Sequence, residues 1–318
     1  MGEIIGASPA MQRVFDLIEV AAACEANVIL YGESGTGKEL VAHAIHELSA
    51  RRAGSFVPVN CGAIPETLME SEFFGHRKGA FSGAWIDKHG YLDLADGGTL
   101  FLDELGEIGP SIQVKLLRAI DGGGFTPIGG RELKRPDFRV IAATHRNLLE
   151  EVRRGRMRED FFYRVHVLPI HLPPLRERRE DIPLLAEHFA RRFGRGDTDP
   201  PLTAHVLESL AAYDWPGNVR ELQNTVYRYL ALQRLDFAGG RGIRAEPRAP
   251  RNDSPASGGA GEGLEAMLMR YERELILRAL EENRWRREET AAALGIHRKT
   301  LFAKMKKYGI VPPPRSVG

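Results

Sequence analysis

Short apolar runs alternate with helical patterns over the first half of the chain. Val28-Ile29-Leu30-Tyr31, Phe56-Val57-Pro58-Val59, Thr99-Leu100-Phe101-Leu102 and Arg139-Val140-Ile141-Ala142-Ala143 are β-prone and have too few polar positions for a strand with one wet face. Glu39-Leu40-Val41-Ala42-His43-Ala44-Ile45-His46, after the first run, carries helical spacing. Buried strands separated by helices predict a parallel α/β sheet. From His171 the pattern changes. Leu172-Pro173-Pro174-Leu175-Arg176-Glu177-Arg178 reads as a proline-marked hinge, and helical patterns then run to about Phe237, which predicts a small all-α lid. Residues 239–263 are rich in Gly, Pro, Ser, Ala and Arg, with almost no large apolar side chain, and are expected to form a flexible linker. Residues 264–318 return to a compact helical pattern. The expected organisation is an α/β unit over 1–170, a helical lid over 171–238, the linker over 239–263 and a small all-α domain over 264–318.

Composition narrows this little. No apolar run approaches the roughly 18 residues that span a bilayer. The N-terminus lacks the basic and apolar regions of a secretory signal. Cys24 and Cys61 are too few and too far apart for a disulfide framework or metal cluster. A cytoplasmic protein is expected. Charge is more informative. Residues 264–318 hold 12 Lys plus Arg against 7 Glu, a net of +5, while the remainder carries 32 basic against 36 acidic residues, or −4. A basic end on an acidic body suggests that a polyanion meets that end; a solvated basic helix is the plainer alternative.

The clearest chemistry follows the first strand. Gly32-Glu33-Ser34-Gly35-Thr36-Gly37-Lys38-Glu39 is a glycine-rich turn between a predicted strand and helix. Such a turn presents backbone N–H groups to phosphate oxygens, the helix N-terminus adds a favourable dipole, and Lys38 is placed for the β- and γ-phosphates. The Ser or Thr that usually follows the lysine, to hold Mg²⁺, is Glu39. Asp103-Glu104 ends the third predicted strand. Asp103 there can hold Mg²⁺, and Glu104 can orient or deprotonate an attacking water. ATP and Mg²⁺ are the expected ligands.

Downstream, Glu70-Ser71-Glu72-Phe73-Phe74-Gly75-His76 leads into Gly79-Ala80-Phe81-Ser82-Gly83-Ala84, and Gly97-Gly98-Thr99 through Glu104 follows. This succession resembles the central AAA+ domain of the sigma-54-dependent transcriptional activators, the NtrC-like enhancer-binding proteins. Their GAFTGA segment is the loop that engages the sigma factor; here Ser82 replaces the usual threonine. The family also usually carries a glutamate where Glu39 stands. The resemblance implies further roles: Asn60 as the switch of Glu104, Thr144 and His145 as sensors of the γ-phosphate, and Arg220 in Trp215-Pro216-Gly217-Asn218-Val219-Arg220 as the lid residue reading nucleotide in cis. Arg158 and Arg164 match the fingers that act on a neighbouring subunit's nucleotide, which implies a ring, typically a hexamer. Taken alone, each of these arginines reads as a surface ion-pair partner.

The C-terminal segment Glu289-Thr290-Ala291-Ala292-Ala293-Leu294-Gly295-Ile296-His297-Arg298-Lys299-Thr300-Leu301 has the cadence of helix, glycine turn, helix. Gly295 can end the first helix, and Leu294, Ile296, Leu301 and Met305 would close a small core. It resembles the Fis-type helix-turn-helix, with His297, Arg298, Lys299, Thr300 and Lys304 placed for DNA. His297 departs from the common Ser or Asn. A dimerisation module is the alternative.

The whole reads as an ATP-driven activator that binds upstream enhancer DNA, forms a ring and remodels the sigma-54 RNA polymerase holoenzyme in its closed complex. Two rivals stay open: an AAA+ type DNA-binding regulator that does not act on sigma-54, and a remodeller of a non-transcriptional target. No receiver or sensor domain precedes residue 4, so control is expected in trans unless the chain is truncated.

Overall fold

The computed structural model describes residues 4–194, 202–232, 234–235, 237, 243–244, 276, 280, 285, 287–293, 301, 304–305, 308 and 310. The chain divides into two compact units, 1–247 and 248–318.

The first unit is built on a five-stranded parallel sheet: β1 (Val28–Tyr31), β2 (Phe56–Asn60), β3 (Thr99–Asp103), β4 (Arg139–Thr144) and β5 (Leu168–His171), in the order β2-β3-β4-β1-β5. Successive side chains along a strand face opposite ways. Ile29, Val57, Val59, Leu100, Leu102, Val140 and Ala142 therefore enter one core layer. Val28, Leu30, Phe101, Ile141, Ala143 and Ile170 enter the other. Both layers are dry, which is why the strands read as continuous apolar runs rather than alternating ones.

Helices α1 (Pro9–Ala22) and α2 (Lys38–Leu48) close the second layer through Met11, Val14, Ile18, Val41 and Ile45. Helices α3 (Glu66–Phe74), α4 (Tyr91–Leu94), α5 (Pro110–Ile120), α6 (Leu148–Arg153) and α7 (Glu159–Val165) close the first. The four strands predicted from the sequence are present. The fifth, β5, is not evident from the sequence: only Leu168 and Ile170 of its four residues are large and apolar, beside Pro169 and His171. Its position at the sheet edge, beside β1 only, accommodates the missing backbone donor.

The lid is α8 (Ile182–Phe193), α9 (Ala204–Ala212) and α10 (Asn218–Leu232), packed around Trp215, Leu222, Val226 and Tyr229. It is not purely helical. Strand β6 (Arg234–Leu235) pairs antiparallel with β7 (Ile243–Arg244), inside the stretch read as linker. Leu235 and Ile243 are backbone partners in that register, too short a run to stand out in the sequence among Gly and Arg. In the second unit, helix α11 (Arg287–Ala293) is described, and Ile276, Leu280, Ala291, Leu301, Met305 and Ile310 form a core. Leu301 and Met305 are thus buried as expected, whereas Leu294, Gly295 and Ile296 lie outside the described residues. Among the described residues no helix is long and apolar enough to cross a membrane.

Candidate nucleotide site

The loop between β1 and α2 curls around its own lysine. Lys38 Nζ donates to the carbonyl oxygens of Gly32 (2.8 Å) and Glu33 (3.1 Å) and is buried. Burial draws its pKa down, while the Asp103 and Glu104 carboxylates oppose that. A buried ammonium held only by neutral carbonyls fits an anion as its missing partner. Gly37, just before α2, sits at φ +104°, a left-handed backbone that favours glycine. Thr36 Oγ1 turns inward to Glu33 O at 2.9 Å. Glu39 is exposed in the first turn of α2, where a carboxylate suits the helix dipole.

Asp103 and Glu104 stand at the end of β3. Burial, and then the adjacent Glu104, push the Asp103 carboxyl up; Lys38 counters. Glu104 is in the left-handed region, φ 56°, ψ 48°, which costs a non-glycine residue about 1–3 kcal/mol. That kink swings its side chain out of the strand. Its Oε2 lies 2.8 Å from His145 Nδ1. Asn60 is opposite Asp103 in the β2–β3 register, but its amide oxygen accepts from Ala63 N (3.1 Å) and caps a short turn. Glu104 is therefore held by His145 here, not by Asn60. Thr144 is buried; its hydroxyl accepts from Arg146 N (3.0 Å), and its carbonyl from Gly32 N (3.3 Å).

The lid sits directly on the loop. Arg220 donates to Ser34 Oγ at 3.3 Å and acts electrostatically on Lys38 and Asp103. Val219 N donates to Gly35 O at 3.0 Å. A Cβ on Gly35 would fall 2.4 Å from Gly217 O, so only glycine allows this approach. Arg176 clamps Glu33 with two hydrogen bonds (2.7 and 2.9 Å), and Asn218 Nδ2 donates to the same carboxylate at 3.1 Å. Asn218 itself has φ 52°. Sequence reading assigned Glu33 to the phosphate loop but did not find these partners.

Arg176 first, and Asn218 second, hold the Glu33 carboxyl down at about 2, from an ordinary 4.5. A depressed carboxylate stabilises the fold above its unfolded pKa, and that contribution is lost as pH falls through the folded one. The latch is thus fully present above about pH 4.5 and gone near pH 2. Glu33 and Arg176 are both partly exposed, so it contributes only about 0.2–1 kcal/mol. The stability difference between wild type and Glu33→Gln should accordingly be present at pH 6 and vanish toward pH 2 in denaturant titrations. A difference independent of pH would show that the charge is not what holds lid to loop.

A cavity of about 120 Å³ opens between loop and lid, lined by Ile5, Gly37, Leu172, Leu185, Phe189 and Val219 among others. Its apolar walls come from segments far apart in the chain, which is why no sequence signal marks it. The buried Arg178 also borders it, donating to Thr36 O (3.1 Å).

Other predicted residues lie elsewhere. Arg158 pairs with Asp160 (2.7 Å) and Arg164 with Asp121 (2.7 Å), at the two ends of α7. Residues 79–84 form a turn closed by Gly79 N to Ala84 O at 2.8 Å. Ala84 is buried and Ala80 partly so, while Gly79, Phe81, Ser82 and Gly83 are exposed. The Phe81 ring leans edge-on against His76, centroids 4.9 Å apart. His297, Arg298, Lys299 and Thr300 lie outside the described residues; Lys304 is partly buried.

Residues 4–171 match the family described as Sigma-54 interaction domain, 176–257 the AAA+ ATPase lid domain, and 268–308 the bacterial regulatory proteins of the Fis family. The response regulator protein PilR of Pseudomonas aeruginosa is 46% identical over 311 residues, covering 96% of this chain and 70% of PilR. The transcriptional regulatory protein ZraR of Salmonella typhimurium is 46% identical over 306 residues, 96% and 68% respectively. NtrX from Brucella abortus, solved in complex with ATP, superposes with a TM-score of 0.67 at 33% identity, covering 98% of this chain and 70% of that one. An apolar-walled phosphate-loop site under a helical lid, joined to these matches, settles the family: the chain belongs to the sigma-54-dependent transcriptional activators, AAA+ ATPases that bind nucleotide and carry a Fis-type helix-turn-helix.

Proposed function

We propose that this protein hydrolyses ATP in a hexameric ring and spends the energy on remodelling sigma-54 RNA polymerase through residues 79–84, while residues 264–318 hold it on upstream DNA. The reading assigns 1–170 and 171–238 to the two parts of the nucleotide-binding domain. Lys38 and the amides of Gly35 and Gly37 take the phosphates, and the apolar cavity takes the base. Arg220 reads the phosphates from the lid, and Thr144 lies on the strand beside them. Glu104 orients the attacking water and accepts its proton, with Asn60 and His145 competing to hold its carboxylate. Asp103 fits a Mg²⁺ ligand, since magnesium is commonly held by one or two carboxylates plus substrate phosphates. When bound, the ion neutralises charge on the phosphate oxygens. Arg158 and Arg164 complete the site of the adjacent subunit. His297, Arg298, Lys299, Thr300 and Lys304 are the DNA contacts.

One observation carries the sigma-54 contact. The exposed tip at Phe81, 43% accessible, stands within the part of the chain matched to the sigma-54 interaction domain. Exposed Ser82, which lacks the threonine methyl, is the feature that keeps open the rival in which the loop no longer engages sigma-54. One buried methyl contributes about 0.8 kcal/mol, a several-fold effect rather than an elimination. With ADP and aluminium fluoride present, wild type is expected to bind sigma-54, Ser82→Thr equally or better, and Phe81→Ala not at all. Protein that hydrolyses ATP yet never binds sigma-54 in that state would favour the rival.

A further inference from the structure

Residues 76–88 fold back on themselves. His76 and Lys88 form an antiparallel bridge, with His76 N donating to Lys88 O (3.0 Å) and Lys88 N to His76 O (2.8 Å). Above the bridge, Asp87 accepts from Lys78 N and from Arg77 Nη1, each at 2.7 Å. The Lys78 amide, and then Arg77, hold its carboxyl below the usual range. The 79–84 turn stands beyond this clamp. Between clamp and turn, on the returning arm, are Trp85 and Ile86. They are 81% and 72% exposed, against 43% for Phe81.

Three large apolar side chains within six residues thus face solvent on a segment pinned at its base. Single exposed apolar residues need no explanation, but a cluster beside a contact loop marks an interaction surface. Tryptophan supplies a large rigid contact area at low entropic cost and is enriched where binding energy concentrates. We infer that Trp85 and Ile86 extend the sigma-54 contact of the Phe81 tip, taking an apolar segment of sigma-54 against the returning arm. The inference rests on the proposed role of residues 79–84. Sigma-54 is the occupant it commits to because the surface is continuous with that tip. The second candidate, a neighbouring copy of this chain, is an outcome of the test.

The test uses the whole chain with ADP and aluminium fluoride and fluorescently labelled sigma-54, read by anisotropy. Ring size is followed by sedimentation, and thermal unfolding checks the fold. Trp85→Ala should weaken binding about tenfold or more, Trp85→Phe should keep most of the affinity, and Trp85→Ala with Ile86→Ala should be weaker still. Ring size and unfolding temperature should not move. Labelling the activator alone with 5-fluorotryptophan adds a direct reading. Of its three tryptophans, the resonance that disappears in Trp85→Phe should shift when sigma-54 is added. Wild-type affinity in Trp85→Ala and in the double variant, with binding lost in Phe81→Ala, would overturn this inference and leave the tip reading intact. Wild-type affinity in Phe81→Ala as well would remove both. Rings that fall apart in Trp85→Ala would assign the surface to a neighbouring copy and overturn it.

Discussion

Lys38→Ala protein is expected to bind no measurable nucleotide, whereas Glu104→Ala protein should bind it normally and not turn it over. Lys38 opens α2 after the loop that follows β1, and Glu104 follows β3; the two do different work. Lys38 is the buried cation of the loop, held only by the carbonyls of Gly32 and Glu33. Its removal leaves the phosphates without the charge that offsets their desolvation. Glu104 is held out of the strand by its left-handed backbone and by His145. In that position it contributes to proton transfer and water alignment rather than to binding, and its loss should cost about 10²–10⁴ in rate. Equilibrium binding of a fluorescent ATP analogue and steady-state hydrolysis separate the two. Turnover at the wild-type rate in Glu104→Ala would place the catalytic carboxylate elsewhere than the end of β3.

Arg164→Ala should remove about 10³-fold or more of the hydrolysis rate, the scale of a lost arginine finger, without loss of nucleotide affinity. In the single chain Arg164 is paired with Asp121, and Arg158 with its own neighbour Asp160. Neither pair involves the phosphate loop, and the proposed role of these arginines is on the neighbouring subunit's nucleotide. Mixing inactive Lys38→Ala with inactive Arg164→Ala should then recover part of the activity. Mixed rings would contain some sites with an intact loop from one subunit and an intact finger from the next. If mixed rings form, as shown by crosslinking differently tagged chains, and activity stays at the level of the separate variants, Arg164 does not act in trans.

Much of the molecule is legible along the chain because the physics involved is local. Four of the five sheet strands are short apolar runs, and both sheet faces are dry, so burial alone marks them. The phosphate loop is legible because a strand, a glycine-rich turn and a lysine at a helix start are adjacent in sequence. The Asp103-Glu104 pair is legible because it ends such a strand. Strand β5 is hidden because only two of its four residues, Leu168 and Ile170, are large and apolar, and β7 by a composition that elsewhere makes linkers.

Only the tertiary structure brings Arg176 and Asn218 onto Glu33, across 143 and 185 positions of sequence. It alone turns Glu104 into the left-handed region against His145, assembles the apolar cavity from both ends of the first unit, and leaves Trp85 and Ile86 outside every core. The sequence by itself determined which elements form and which chemistry they carry, because periodicity and turn chemistry act over a few residues. Which carboxylate is latched, which is aimed, and which apolar side chains stay in water depend on packing between distant segments, and that is decided only when the sheet closes and the lid settles on the loop.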